Sequence, residues 1–208
     1  MKIIVISHNK SVENEEKIIT KLFELGLETF HLRKPRMSTK KLEEFIQKIP
    51  VHFHNRIVLH THHNLCVRYA LKGIHITKSH LNRLTMTKWK LRFLSLRRPL
   101  KTLIFTTSKS QLQAVYQPDE FNYEYFFLNP VFDPLTGKFQ NGFYEDALRA
   151  ANLKSGKKII ARGGVSTERL KRIKDLGFYG FAVNSVIWKS PDPIQAFIEI
   201  LSECRKLE

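Results

Sequence analysis

Short runs rich in β-branched and aromatic residues alternate along the chain with longer stretches in which apolar positions recur every three or four residues. The first pattern marks buried strands and the second amphipathic helices, so their regular alternation predicts repeated βα units around a parallel sheet. Eight strand candidates follow, at 3–7, 29–33, 57–61, 73–77, 102–107, 125–129, 158–162 and 180–184. Between them, Ile18, Ile19, Leu22, Phe23 and Leu25 form one apolar face that stops at Gly26, and Leu42, Phe45, Ile46 and Ile49 form another between a capping Ser38 and Pro50. After the seventh strand, Ser166 or Thr167 opens a helix carrying Leu170, Ile173 and Leu176, closed by Gly177. Asp192 and Pro193 make a cap and first-turn pair for a last helix that turns Ile194, Phe197, Ile198 and Leu201 inward.

Eight strands, each followed by a helical stretch, fit a closed barrel better than an open doubly wound sheet, which commonly has about five or six. The expected fold is therefore α/β, a single (β/α)8 TIM barrel spanning residues 1–208 as one domain. Two connections break the rhythm, 80–99 and 132–142. The second follows the C-terminal end of a strand, where barrel enzymes place working loops.

Composition narrows the class without choosing a chemistry. Apolar residues at 42% and charged residues at 26% describe an ordinary globular chain. The apolar start is too short for a signal-peptide core, and no run approaches the roughly 20 apolar residues that span a bilayer, so a cytoplasmic protein without membrane contact is expected. Cys66 and Cys204 lack CxxC spacing and read as buried thiols. A protein of this size is expected to fold alone or as a simple oligomer such as a homodimer.

The net charge of +16 suits an anionic partner. Its densest stretch, 88–101, interleaves Trp89 and Phe93 with Lys90, Arg92, Arg97 and Arg98. A solvated helix on the barrel wall accounts for that stretch, and nucleic acid is not the expected partner.

Candidate chemistry gathers at the strand ends. Strand seven ends in Arg162-Gly163-Gly164 and strand eight in Asn184-Ser185, small residues at two adjacent rims whose backbone can approach a phosphate. On strand two, His31 and Arg33 alternate onto one side, where Arg33 can grip phosphate oxygens bidentately. Thr136 and Lys138 add a hydroxyl and an ammonium in the loop after strand six. His60 and His62 could share a face of strand three, with His52 and His54 just upstream, which invites a zinc hypothesis. No cysteine or carboxylate cluster completes a ligand set, so no metal site is assigned. No GxSxG elbow supports a serine triad.

In this order the motifs resemble those of the thiamine phosphate synthase family and its thiazole tautomerase relatives. HLRK at 31–34 is similar to the family's Gln-Leu-Arg strand, GIHIT at 73–77 to its Gly-Val-His-Leu-Gly, and NPVFDPLTGK at 129–138 to its strand-six loop. RGGV at 162–165 and VNSVI at 183–187 are similar to its two phosphate loops. The resemblance implies an enzyme that couples a hydroxymethylpyrimidine diphosphate to a thiazole phosphate and releases pyrophosphate. It assigns the diphosphate to Arg33, Lys34, Thr107, Thr136 and Lys138, and the thiazole phosphate to Gly163, Gly164, Asn184 and Ser185. Arg33, Lys138 and His31 become the candidate catalytic residues, and a phosphorylated small molecule the expected partner.

The resemblance also implies Mg2+, yet the family's two metal carboxylates fall here on Thr61 and His80. The strand-two glutamine is His31, and the tautomerase's catalytic histidine falls on Lys109. These departures leave two alternatives to the synthase, a thiazole tautomerase in which His31 or His60 moves the proton, and a non-catalytic phosphate-ligand binder that has lost the magnesium site.

Overall fold

Strand β1 (Lys2–Ile6) pairs in parallel with β8 (Gly180–Val183), the first and last strands meeting so that the sheet has no free edge. Between them β2 (Phe30–Leu32), β3 (Ile57–Leu59), β4 (Gly73–Ile76), β5 (Ile104–Lys109), β6 (Tyr123–Leu128) and β7 (Ile159–Arg162) follow in chain order around a closed barrel. The computed structural model describes residues 1–96, 103–140 and 142–207. Each expected strand is present, and the alternation of the sequence becomes an inner and an outer face.

Outer-face residues such as Val5, Phe30, Leu32, Leu59, Ile74, Ile76, Phe126 and Leu128 form one large core with the surrounding helices. Helix α1 (Glu15–Glu24) buries Ile19, Leu22 and Phe23, and α2 (Thr39–Gln47) buries Leu42, Phe45 and Ile46. The Ser38 hydroxyl accepts from the Lys41 amide, and the Asp192 carboxylate accepts from Ile194 and Gln195 to start α9 (Pro193–Lys206). A smaller cluster of Ile4, Ile6, Tyr125, Phe127, Ile160 and Ala182 fills the lumen.

The helical layer departs from expectation after β5. The only helical piece before β6 is a 3-10 turn, Gln113–Val115, because the stretch is largely polar and Asp119 is anchored by Lys109 at 2.6 Å and Lys157 at 2.7 Å. The connection after β4, irregular in the sequence, carries the solvated helix expected of its basic stretch as far as Ser95. It holds α4 (Lys78–Leu81) and α5 (Leu84–Ser95), and α5 buries Thr87 and Leu91 while Trp89 and Phe93 are 70% and 63% exposed. Arg97, Arg98 and Lys101 of the basic stretch, and Thr102 of the expected fifth strand, lie outside the described residues. The remaining helices are α3 (Asn64–Arg68), α6 (Glu145–Lys154), α7 (Leu170–Asp175) and α8 (Ser185–Trp188). Among the described residues no helix is long and apolar enough to cross a membrane.

Candidate active site

The upper lumen is polar. His31 pairs in register with Ile6, His75 with Thr106, and Arg162 with Ala182, so all three project into the barrel with their partners. The Nδ1 of His31 lies 3.0 Å from Nε2 of His60, and its Nε2 lies 2.6 Å from the Tyr125 hydroxyl. His75 stacks on His60 at 4.1 Å, with its ring nitrogens 2.8 Å from the Thr106 hydroxyl and 3.2 Å from that of Ser108. Two tautomer sets satisfy the chain: Tyr125 donates to His31 and His31 to His60, or His60 donates to His31 and His31 to Tyr125. Burial, reinforced by neighbouring imidazoles and by Arg162, holds His31, His60 and His75 well below the ordinary imidazole value. All three are neutral at physiological pH.

Beside this network, at the C-terminal ends of the strands, opens a cleft of about 200 Å³. Gly163 and Gly164 line it from the β7 rim, Asn184 and Ser185 from the β8 rim, and Arg33 and Arg162 supply its charge. The two rims expected to face one anion therefore face one space. Both glycines have positive φ, 87° and 62°, and a Cβ on Gly164 would stand 2.4 Å from the Phe132 carbonyl oxygen. No other residue type fits that close approach without displacing backbone. The amides of Gly164, Val165 and Ser185 donate to no backbone carbonyl among the described residues, which leaves them available to a ligand. Asn184 is held in place by its side-chain amide, which donates to the Ile6 and Ser7 carbonyls. Arg33 donates to the Asn9 carboxamide oxygen at 2.8 Å, and its backbone amide donates to the Ser7 hydroxyl.

Other expected site residues do not reach the cleft. Lys34 is buried and ion-paired with Glu15, and its ammonium also donates to the carbonyls of His8 and Lys10, so it builds the β1–α1 loop instead of binding diphosphate. Thr107 sits one residue out of phase. Its side chain is on the outer face and donates to the Ile76 carbonyl, while Thr106 and Ser108 take the inner face. In the loop after β6, the Thr136 hydroxyl bonds Asp133 and Lys138 is exposed, and neither lines the cleft. His31 lies in the lumen network, not at the cleft wall. Lys109 is committed to Asp119 and the Ala114 carbonyl.

Besides Arg162, to which the sequence reading gave no role, three residues escaped it. His75 and Tyr125 complete the lumen network, and strict alternation along β4 and β6 would have placed both inside. Arg169 donates to the carbonyls of Asp133 and Gly164, tying the β6 loop to the β7 rim.

The histidines expected to gather on strand three do not. His62 adopts φ 52° and turns to Thr39 and Met37, and His54 bonds the Ile46 and Ile49 carbonyls. Among the described residues, His31, His60 and His75 are instead the group whose ligand atoms lie within 4.8 Å of one another. Imidazoles suit zinc or copper and not magnesium, which demands oxygen ligands. His80 caps α4 through Thr77, Thr61 offers one buried hydroxyl without a partner, and no carboxylate lines the cleft. The donor set does not fit Mg2+.

A larger cavity of about 650 Å³ lies between His63, His80 and helix α5. It is walled partly by the exposed Trp89 and Phe93 and contains no residue of the two glycine-rich and serine-bearing rims, so the smaller cleft is the better candidate for an anion.

Comparison with known proteins agrees with the barrel fold. A family model described as thiamine monophosphate synthase matches residues 3–187. A thiamine phosphate pyrophosphorylase from Bacteroides thetaiotaomicron has 27% identity and a TM-score of 0.78, with 100% of each chain covered. Its counterpart from Pyrococcus furiosus has 15% identity and a TM-score of 0.77, over 99% of this chain and 96% of that one. A geranylgeranylglyceryl phosphate synthase from Thermoplasma acidophilum shares the fold at 11% identity and a TM-score of 0.68, over 98% of this chain and 92% of that one. No curated protein sequence matches the chain.

Proposed function

The chain belongs to the thiamine monophosphate synthase family, and from that premise we propose that it is a cytoplasmic enzyme of thiamine biosynthesis acting on a thiazole phosphate. In the synthase reaction the thiazole nitrogen attacks the methylene carbon of the pyrimidine diphosphate, and the breaking C–O bond sends its electron pair to pyrophosphate. The observation that carries the proposal is the cleft in which Gly163, Gly164, Asn184 and Ser185 meet Arg33. Backbone amides and a guanidinium are the donors a phosphate monoester needs.

A second reading rests on the lumen network. The neutral imidazoles of His31 and His60, linked to the Tyr125 hydroxyl, form a chain along which a proton can be passed. That arrangement favours a metal-free proton transfer on a thiazole phosphate. Incubation with both thiamine precursors, with and without Mg2+, distinguishes the readings. Thiamine phosphate as product supports the synthase, isomerised thiazole phosphate alone supports the proton transfer, and binding without turnover reduces the protein to a ligand binder. Failure to bind any thiazole phosphate overturns all three.

A further inference from the structure

Arg162 has an environment that neither the family motifs nor its place before two glycines anticipates. As the last residue of β7 it shares the inner face with Ile160, and its guanidinium lies 5.6 Å from the centre of the Phe127 ring. It lines the same cleft as Arg33. Among the described residues neither arginine forms an ion pair with a carboxylate, although Lys and Arg side chains elsewhere repeatedly find Asp or Glu. The residues around the cleft contribute amide oxygens from Asn9, Asn129 and Asn184 and no acidic group. Burial and the charge of Arg33 draw the Arg162 pKa down to about 10, so it stays protonated at neutral pH. The neighbouring imidazoles are uncharged, and among the described residues no carboxylate pairs with either guanidinium.

Two like charges in one partly buried space destabilise the empty protein, and an anion removes that penalty on binding. A divalent cation would instead add to it. We propose that Arg162, acting with Arg33, supplies the positive charge that holds the ligand's phosphate in this cleft, so that anion binding proceeds without a divalent cation. The proposal rests on reading the cleft as the phosphate site. Arg162 then takes the charge-neutralising part that the missing carboxylates would have given to magnesium, and the site favours ligands with two or more negative charges.

The test uses the full chain and its Arg162→Met and Arg162→Lys variants, with inorganic phosphate and pyrophosphate as probes at fixed ionic strength, in EDTA or in Mg2+. Calorimetric affinity and melting temperature are read together. In the wild type, phosphate affinity is expected to agree within about twofold between EDTA and Mg2+, with pyrophosphate bound more tightly than phosphate. Arg162→Met is expected to weaken pyrophosphate at least about tenfold, the scale of a charge-assisted hydrogen bond, while raising the melting temperature of the ligand-free protein. Arg162→Lys keeps the charge without the fork and should fall between the two.

Phosphate binding that requires Mg2+, or a folded Arg162→Met protein that binds pyrophosphate as the wild type does, overturns the proposal and leaves the phosphate cleft standing. If Arg162→Met fails to fold, Arg162→Gln, which also removes the charge, takes its place, and unchanged pyrophosphate affinity in that variant counts against the proposal equally. A wild type that binds neither probe in either condition removes the phosphate cleft and this proposal together.

Discussion

Lys34 is 2% exposed and Glu15 1%, so their ion pair is sealed from water and its rupture has a calculable cost. Lys34→Met keeps most of the aliphatic stem and deletes the ammonium. The carbonyls of His8 and Lys10 then lose their 2.8 Å donors, and Glu15 loses its ion-pair partner and keeps only the weaker help of the Val12 backbone and His8. Even in the wild type, burial raises the Glu15 pKa against the opposing pull of Lys34. Without Lys34 the carboxyl escapes only by taking up a proton, at about 1.4 kcal/mol for each pH unit above its ordinary value near 4.3, or roughly 4 kcal/mol at pH 7. This agrees with the about 3–5 kcal/mol typical of breaking a buried pair. Because the variant's folded-state pKa lies above the unfolded one, the loss is largest at neutral pH and shrinks as pH falls toward the unfolded value. Urea unfolding of both proteins at several pH values between about 5 and 7 measures it, and the difference cancels other titrating groups. Glu15→Gln in the Lys34→Met background should recover part of the loss. A variant within about 1 kcal/mol of wild type at pH 7, or a gap that does not narrow with acid, refutes the reasoning.

Arg33→Ala should weaken phosphate binding by about 1–3 kcal/mol in calorimetry; unchanged affinity removes Arg33 from the site. Gly164→Ala combines a strained positive φ with a Cβ 2.4 Å from the Phe132 carbonyl oxygen, and should cost about 2–4 kcal/mol in urea unfolding together with loss of phosphate-induced stabilisation. Wild-type stability in the variant would show that the β7 rim is more plastic than drawn. His31, His60 and His75 have lowered folded-state pKa values, so the unfolded chain binds more protons below about pH 6.5, and stability falls with acid by about 1.4 kcal/mol per unit for each of them. His75→Gln should reduce that slope by about one such step; equal slopes in wild type and variant would mean His75 titrates normally.

The strands were readable because burial on both faces leaves runs such as Ile3-Ile4-Val5-Ile6 that no polar residue interrupts. Caps at Ser38 and Asp192 were readable because their hydrogen bonds are local. Phase around the barrel was less accessible. The register slips between Phe105 and Thr106 where β5 meets β6, and a shift of one residue exchanges Thr107 for Thr106 and Ser108 at the lumen. Lys34 and Lys138 are alike as letters, and only the fold shows one sealed against Glu15 and the other in solvent. Arg162 was hidden for a different reason. Beside two glycines it reads as an ordinary strand end, and its lack of a carboxylate partner is a property of distant residues that no local pattern carries.

These placements converge on a gradient of polarity along the barrel axis. Ile4 and Ile160 form an apolar floor, the imidazoles and Tyr125 form a polar but uncharged middle, and Arg33 and Arg162 hold positive charge at the mouth. The middle is neutral partly because the mouth is cationic, since the Arg162 charge adds to burial in disfavouring a proton on each of the three histidines. An anion in the cleft screens that charge and so eases protonation of the imidazoles below it. Binding and proton affinity are thereby linked through one guanidinium. In this arrangement an anion held at the mouth acts on the imidazoles below it through charge, without touching them.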